Sequence, residues 1–142
     1  MFITWVRECV TTPKFSINLN GELVGFFGSS RGLRQGDPIS AYLFVIVMEV
    51  LSMIIRYKVE QSVLEGRPFQ YHWHCSKTRI THLCFADDLM LFCGESYHSA
   101  QLLHEALMEF SFLSGLFPNY GKSCIFLAGR NIQYNNMILN LF

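Results

Sequence analysis

The order of apolar and polar residues divides the first part of the chain into a helix and a hairpin. Residues Phe2–Val10 predict a helix that ends before Pro13, because proline cannot continue a helix. From Lys14 to Leu19 apolar and polar residues alternate, which is typical of a half-buried strand. The pair Asn20-Gly21 then predicts a tight hairpin turn into a second strand at residues 23–27.

A long apolar helix is predicted next. Asp37 can accept free amide hydrogens of a first turn and Pro38 suits the first helical position, so the helix should begin there. We expect it to end near Arg56 or Tyr57 and to be buried, because it is apolar nearly all round.

The same apolar run allows an alternative, a membrane-spanning segment from Ile39 to Ile55. The run is short for a span of about 20 residues, and it carries Glu49 near its middle. A charge there costs roughly 2.5 to 3.5 kcal/mol on insertion scales. The sequence therefore favours a buried helix and no membrane partner.

The second half of the chain predicts further strands and another helix. Residues Phe69–Trp73 and Ile80–Phe85 are expected to be strands, and a turn bearing two aspartates should join the second to a strand at 89–93. Residues Ser96–Ser114 predict an amphipathic helix that stops at Gly115. A last strand is expected at Lys122–Leu127. The predicted class is mixed α+β.

Composition narrows the classes of protein. The chain is 51% hydrophobic and 15% charged. It is therefore more apolar and less charged than a typical soluble domain, in which roughly a quarter of the residues are charged. The net charge is zero, so no overall electrostatic attraction to nucleic acid is predicted. No signal peptide is visible, so we expect an intracellular protein whose five cysteines are reduced. These cysteines are expected to act as small core residues.

The spacing of the histidines and cysteines in residues 72–84 disfavours a zinc site. The candidate ligands lack the paired Cys/His loops of structural zinc sites, and alternate residues of a strand point to opposite faces. They are His72, His74, Cys75, His82 and Cys84.

The pair Asp87-Asp88 is the first chemical candidate. Two-metal phosphoryl transfer needs carboxylates held close together, and a hairpin tip can present them while the strands hold it in place. A solvated Asp-Asp turn is the alternative, because aspartate is common in tight turns.

The loop Arg31–Ser40 is the second candidate. Its glycines let backbone approach a ligand closely, and it leads into a helix N-terminus, which favours anions. Arg31 and Arg34 could contact phosphates. An ordinary capped loop is the alternative.

Together these motifs resemble the reverse transcriptases of non-LTR retrotransposons, particularly the kind abundant in plant genomes. That family has an Arg-Gly-Leu-Arg-Gln-Gly-Asp-Pro segment before a long apolar helix, then a Phe-Ala-Asp-Asp box between two strands. A Ser-Gly-Leu…Asn…Lys-Ser segment follows, matched here by residues 114–123. The resemblance implies a partial polymerase palm of the right-hand type, with an antiparallel sheet whose hairpin carries Asp-Asp packed on long helices.

The resemblance also implies roles for individual residues. Asp87 and Asp88 would hold Mg²⁺, with two ions in the intact enzyme, and Phe85 would lie under the primer end. Lys122 would stand near the triphosphate, although a solvated lysine is an equal alternative. Residues that would line the nucleotide and template pocket are Arg31, Arg34, Gln35 and Gly36. The implied partners are an RNA template, a DNA primer and a deoxynucleoside triphosphate.

Departures from the family pattern qualify the expected activity. The family's first catalytic aspartate lies in a strand that would precede Met1, and the fingers and thumb are not matched. We therefore expect residues 1–142 to be a partial reverse transcriptase domain, inactive by itself. The alternative is a non-enzymatic relic of a retrotransposon without selected activity.

Overall fold

The computed structural model describes residues 1–29, 33, 34, 36–128 and 132–142. In these residues the protein is α+β, with helices and two-stranded antiparallel sheets. The elements in chain order are α1 (Phe2–Thr11), β1 (Lys14–Leu19), β2 (Glu22–Gly28), α2 (Pro38–Leu64), β3 (His82–Phe85), β4 (Asp88–Leu91), α3 (Tyr97–Ser114), a short 3-10 turn (Tyr120–Lys122) and α4 (Ile132–Leu139). They fall into two compact units, Met1–Val45 and Ile46–Phe142.

The first unit contains the predicted helix and hairpin. Strands β1 and β2 pair antiparallel, and the register shifts once, between Ser16 and Ile17. Asn20 and Gly21 form the turn with φ angles of 53° and 91°, the left-handed conformations that a tight two-residue turn requires. The Gly21 amide also donates to the Asn18 side chain at 3.0 Å. The prediction of this hairpin is confirmed.

The long helix α2 begins where it was predicted and ends later. The Ile39 amide donates to Asp37 Oδ1 at 3.1 Å, so the aspartate caps the first turn as expected. The helix continues to Leu64, about two turns beyond the predicted end.

The expectation that α2 is buried is wrong for most of its length. Its buried residues are Leu51, Ile54, Ile55 and Ser62, whose spacing of three, four or seven defines a single face. Apolar residues elsewhere stay open, for example Tyr42 at 73% exposure. Within the described residues α2 is long and apolar enough to cross a membrane, but the core helix of a soluble protein can pass the same test.

The core of the second unit lies between the buried face of α2 and helix α3. The helix predicted to be amphipathic has a buried apolar face, whose members are Ala100, Leu103, Ala106, Leu107 and Phe110. The ends are also as predicted. Ser96 accepts from the Ser99 amide at the start, and Gly115 closes the helix with φ of 72°.

Two predicted strands are wrong. Residues 69–73 are not a strand, and the backbone amides of the first two bond to side chains rather than to a neighbouring strand. The Phe69 and Gln70 amides donate to the hydroxyls of Ser62 and Ser99, each at 2.9 Å. The strand predicted at Lys122–Leu127 is also absent, since residues 123–127 follow the 3-10 turn without strand structure. Helix α4 has no counterpart among the predicted elements.

The cysteines are free, as expected, but the prediction that they are core residues is wrong for three of them. Cys9, Cys84 and Cys124 are exposed, whereas Cys75 and Cys93 are half-buried. Cys84 shows the reason, since it lies in a short strand next to the exposed turn.

Candidate metal-binding hairpin

The β3–β4 hairpin presents both aspartates at its tip. Phe85 pairs with Asp88, which leaves Ala86 and Asp87 as a two-residue loop. Ala86 has φ of 51°, a left-handed conformation that a residue with a side chain adopts at a cost. Asp87 therefore lies in the turn and Asp88 begins the next strand, so that two carboxylates are adjacent in sequence at the tip.

The base of the hairpin is fixed to the core. Leu89 and Leu91 pack against the core cluster from the inner face. The His82 ring bridges two hydroxyls: its Nε2 lies 2.9 Å from Ser52 Oγ on α2, and its Nδ1 lies 3.0 Å from Thr81 Oγ1. The hairpin is thus held at its base by packing and hydrogen bonds while its tip is in solvent.

His82 is a positioning group that the sequence suggested only as a zinc ligand. Burial lowers the pKa of His82, Glu49 opposes this change, and Arg56 adds to it. The neutral imidazole is therefore favoured, and it can donate one hydrogen bond and accept the other. The period of two in strands could have indicated that His82 points inward with Leu91, its cross-strand partner.

The two carboxylates are open to a ligand. Asp87 and Asp88 are exposed, and neither carboxylate forms a hydrogen bond or an ion pair with the described residues. Ionised carboxylates are hard oxygen acceptors, which Mg²⁺ prefers. No group of three or more possible metal ligands occurs in the described part of the chain. A pair of carboxylates nevertheless suits Mg²⁺, which is usually held by one or two carboxylates together with waters and substrate phosphates.

An apolar surface adjoins the aspartates on the outer face of the hairpin. Phe85 is 83% exposed, and the cross-strand pair Leu83 and Met90 is also exposed. Because strand residues alternate between faces, these side chains share one face with Asp88. A flat apolar ligand could therefore lie beside the carboxylates.

Other predicted site residues lie on separate segments. Lys122 ends the 3-10 turn of the second unit with an exposed side chain, and no hydrogen bond or ion pair joins it to the aspartates in the described chain. Arg34 and Gly36 are exposed in the first unit. The Arg34 carbonyl accepts from Ser40 Oγ at 2.7 Å, and Gly36 has φ of 85°.

Arg31 and Gln35 lie outside the described residues. Their predicted contacts with nucleotide or template therefore stay predictions.

Comparisons with known proteins agree with the motifs. The family described as Reverse transcriptase (RNA-dependent DNA polymerase) matches residues 1–138. The chain is 47% identical over 70 residues to the Uncharacterized mitochondrial protein AtMg01250 of Arabidopsis thaliana, covering 49% of this chain and 54% of that protein.

A second relative is the Retrovirus-related Pol polyprotein from type-2 retrotransposable element R2DM of Drosophila melanogaster. It is 29% identical over 121 residues, which is 85% of this chain and 10% of the polyprotein. The chain thus spans about half of one relative and a tenth of the other. No solved structure matches the chain. The chain belongs to the reverse transcriptase (RNA-dependent DNA polymerase) family, and the predicted resemblance to the non-LTR retrotransposon members is confirmed.

Proposed function

We propose that the β3–β4 hairpin is the metal-binding hairpin of an RNA-directed DNA polymerase palm. The observation that carries the proposal is the exposed Asp87-Asp88 pair on a hairpin anchored to the core at its base. Reverse transcriptases use divalent metal ions and act on a template and a primer. Residues 1–142 would form part of one right-hand polymerase domain of a retrotransposon protein.

In this proposal Asp87 and Asp88 hold Mg²⁺. Bound there, divalent ions would supply the positive charge that stabilises the attacking and leaving oxygens of nucleotidyl transfer. The chain contributes geometry, because the hairpin holds both carboxylates where a solvent-borne substrate can reach them. Rigid placement of charge is the main protein contribution in phosphoryl transfer.

The remaining residues would bind the substrates, which are an RNA template, a DNA primer and a deoxynucleoside triphosphate. Phe85 offers an exposed aromatic surface next to Asp88, suited to the primer end. Lys122 has an exposed ammonium group that can neutralise triphosphate charge. Four residues of the glycine-rich loop would line the nucleotide and template pocket, namely Arg31, Arg34, Gln35 and Gly36.

Titration with Mn²⁺, followed by electron paramagnetic resonance, tests the metal site directly. Two carboxylates without further protein ligands should bind with a dissociation constant on the order of a millimolar, since affinity falls with the number of charged ligands. Asp87→Asn and Asp88→Asn should each abolish this binding. Glu95→Gln, which removes another exposed carboxylate of the same unit, is the matched control. Equal Mn²⁺ binding by the wild type and both asparagine variants would overturn the proposal.

A primer-extension assay tests the expectation that the 142-residue chain is inactive by itself. Its aspartates are Asp37, Asp87 and Asp88, and Asp37 caps helix α2. With Mg²⁺, an RNA template and a DNA primer, we expect no template-dependent extension. Extension that disappears in the Asp87→Asn variant would show that these residues already form a complete catalytic site.

A further inference from the structure

The stretch that follows Glu65, from Gly66 through β3 to Ala86, carries positive charge and no negative charge. From Gly66 to Ala86 the sequence contains no aspartate or glutamate. The cations in this stretch are Arg67, Lys77 and Arg79. In a chain with a net charge of zero, this stretch has a local excess of positive charge, of the kind that favours phosphate groups.

The central part of this stretch, residues 72–79, is an ordered series of turns. The Cys75 amide donates to the His72 carbonyl at 2.8 Å, and the Ile80 amide donates to the Cys75 carbonyl at 3.3 Å. The hydroxyl of Ser76 donates to the Trp73 carbonyl at 2.9 Å. These bonds hold the backbone of the loop, so its side chains project from a defined position. We call residues 72–79 the basic aromatic loop.

Trp73 is an exposed aromatic side chain at the start of this loop. It is 74% exposed, although burying a tryptophan is among the larger apolar contributions to folding. The centroids of the His74 ring and the Trp73 indole lie 3.3 Å apart. The rings of His72 and His74 stack with their centroids 5.8 Å apart. The neighbouring rings therefore support the indole, while most of its surface is open to a ligand.

Cations lie close in sequence to this aromatic surface. Lys77 and Arg79 are both exposed, and they follow Trp73 by four and six residues. Arg79 also lines an open groove of about 710 Å³ together with Arg56 and Glu60. The groove wall therefore carries two guanidinium groups and one carboxylate. Its net positive charge suits a phosphodiester backbone.

We propose that the basic aromatic loop binds unpaired nucleic acid, with Trp73 stacked on a base and with Lys77 and Arg79 paired with neighbouring phosphates. Aromatic stacking beside a positive groove is a common way to bind single strands without sequence preference. An unpaired strand is favoured over a duplex, because neighbouring base pairs cover the base faces of a duplex. The inference rests on the proposed function for its ligand class but not on the metal site.

Trp73 fluorescence provides a direct test. The chain has two tryptophans, so Trp5→Phe leaves Trp73 as the sole tryptophan; Trp5 is 62% exposed in α1. The probe is a short oligouridylate, titrated in excess EDTA so that no divalent metal contributes. We expect saturable quenching, which a stacked base causes, and weaker quenching with a hairpin duplex of equal length.

Variants give the expected magnitudes. Binding by the variants is measured with a fluorescently labelled oligouridylate. Trp73→Ala should weaken binding about 5- to 140-fold, from about 1 to 3 kcal/mol per stacked base at 1.4 kcal/mol per decade. Trp73→Phe should keep most of the affinity. Lys77→Gln and Arg79→Gln should each reduce the slope of log affinity against log salt by about 0.7, the value for one phosphate contact on a single strand.

The outcomes separate this inference from the proposed function. The inference is supported if oligouridylate quenches Trp73 in EDTA and if Lys77→Gln and Arg79→Gln weaken this quenching. This holds even if Mn²⁺ does not bind at the hairpin. Mn²⁺ binding without quenching of Trp73 overturns the inference and leaves the proposed function in place. Equal or stronger quenching by the duplex, or oligouridylate binding that Trp73→Ala leaves unchanged, also overturns it.

Discussion

The turn that carries Asp87 gives a prediction with an unusual sign. Ala86, the first of the two loop residues, has φ of 51° and is exposed. At this position of a two-residue hairpin glycine is favoured, because the conformation brings Cβ close to the following carbonyl. Ala86→Gly should therefore stabilise the protein, although replacing alanine by glycine usually destabilises.

The magnitude follows from two opposing effects. A left-handed conformation costs a residue with a side chain roughly 1 to 2 kcal/mol, which glycine avoids. Glycine loses more backbone freedom on folding, which offsets about 0.5 to 1 kcal/mol. Because Ala86 is exposed, its methyl group contributes little burial. The expected net gain is about 0.5 to 1 kcal/mol, in the range measured for conformationally matched glycine and alanine exchanges.

Urea unfolding of the Trp5→Phe protein measures this change, since Trp73 then reports on the second unit. The matched control is Ala100→Gly in helix α3, a buried position with ordinary helical backbone. That variant should lose about 1 to 2 kcal/mol, from helix propensity and the buried methyl group. If both variants lose stability by a similar amount, the left-handed strain assigned to Ala86 is refuted.

Three further predictions concern groups around the hairpin and the core. Ser62→Ala should lower the free energy of unfolding by about 1 to 3 kcal/mol, because the buried Phe69 amide loses its acceptor; a loss below 0.5 kcal/mol in urea unfolding would contradict this. Because burial lowers the pKa of His82 in the folded state, its contribution to stability should fall as the pH drops below about 6.5, the unfolded value. Titrations of stability against pH should show a smaller fall in His82→Gln, and parallel curves would contradict the assignment. Burial raises the pKa of the Cys93 thiol, so iodoacetamide should modify Cys93 more slowly than the exposed Cys124, as mass spectrometry can measure.

The sequence predicts one of the two hairpin turns more directly than the other. Asn20-Gly21 is a direct signal, because these residues accept positive φ most readily, and the turn was predicted to the residue. The Ala86-Asp87 turn has no such signal. It was expected from the apolar segments on either side of the aspartates, and the conformation of Ala86 was not foreseen.

Predictions failed where side chains from distant helices replace regular backbone pairing. Residues 69–73 are apolar and aromatic, which is typical of strands. The hydroxyls of Ser62 and Ser99 take the amides that a strand would use. Such bonds join residues seven and twenty-nine positions apart, and hydrophobic periodicity contains no information about them.

The exposure of α2 has a related cause. An all-round apolar helix indicates burial only if partners cover every side. Within the described residues, the core covers the face that includes Leu51 and Ile55. The sequence predicted the helix and its cap from local residues, but the number of covering elements is a property of the whole fold.

Stability measurements on the aspartates can separate the candidate site from the fold that supports it. Asp87 and Asp88 are exposed, and their carboxylates bond to no described residue. Asp87→Asn keeps the shape of the side chain and removes one of two adjacent negative charges, so we expect unfolding free energy to change by less than about 0.5 kcal/mol. Any change should be a gain, because like charges on neighbouring residues repel.

The same variant is expected to lose Mn²⁺ binding. Loss of metal at unchanged stability would mean that the hairpin holds these carboxylates for a ligand and not for its own folding. A stability loss above about 1 kcal/mol would instead show that Asp87 has a structural partner, and the open metal-binding tip on which the polymerase proposal depends would then be wrong.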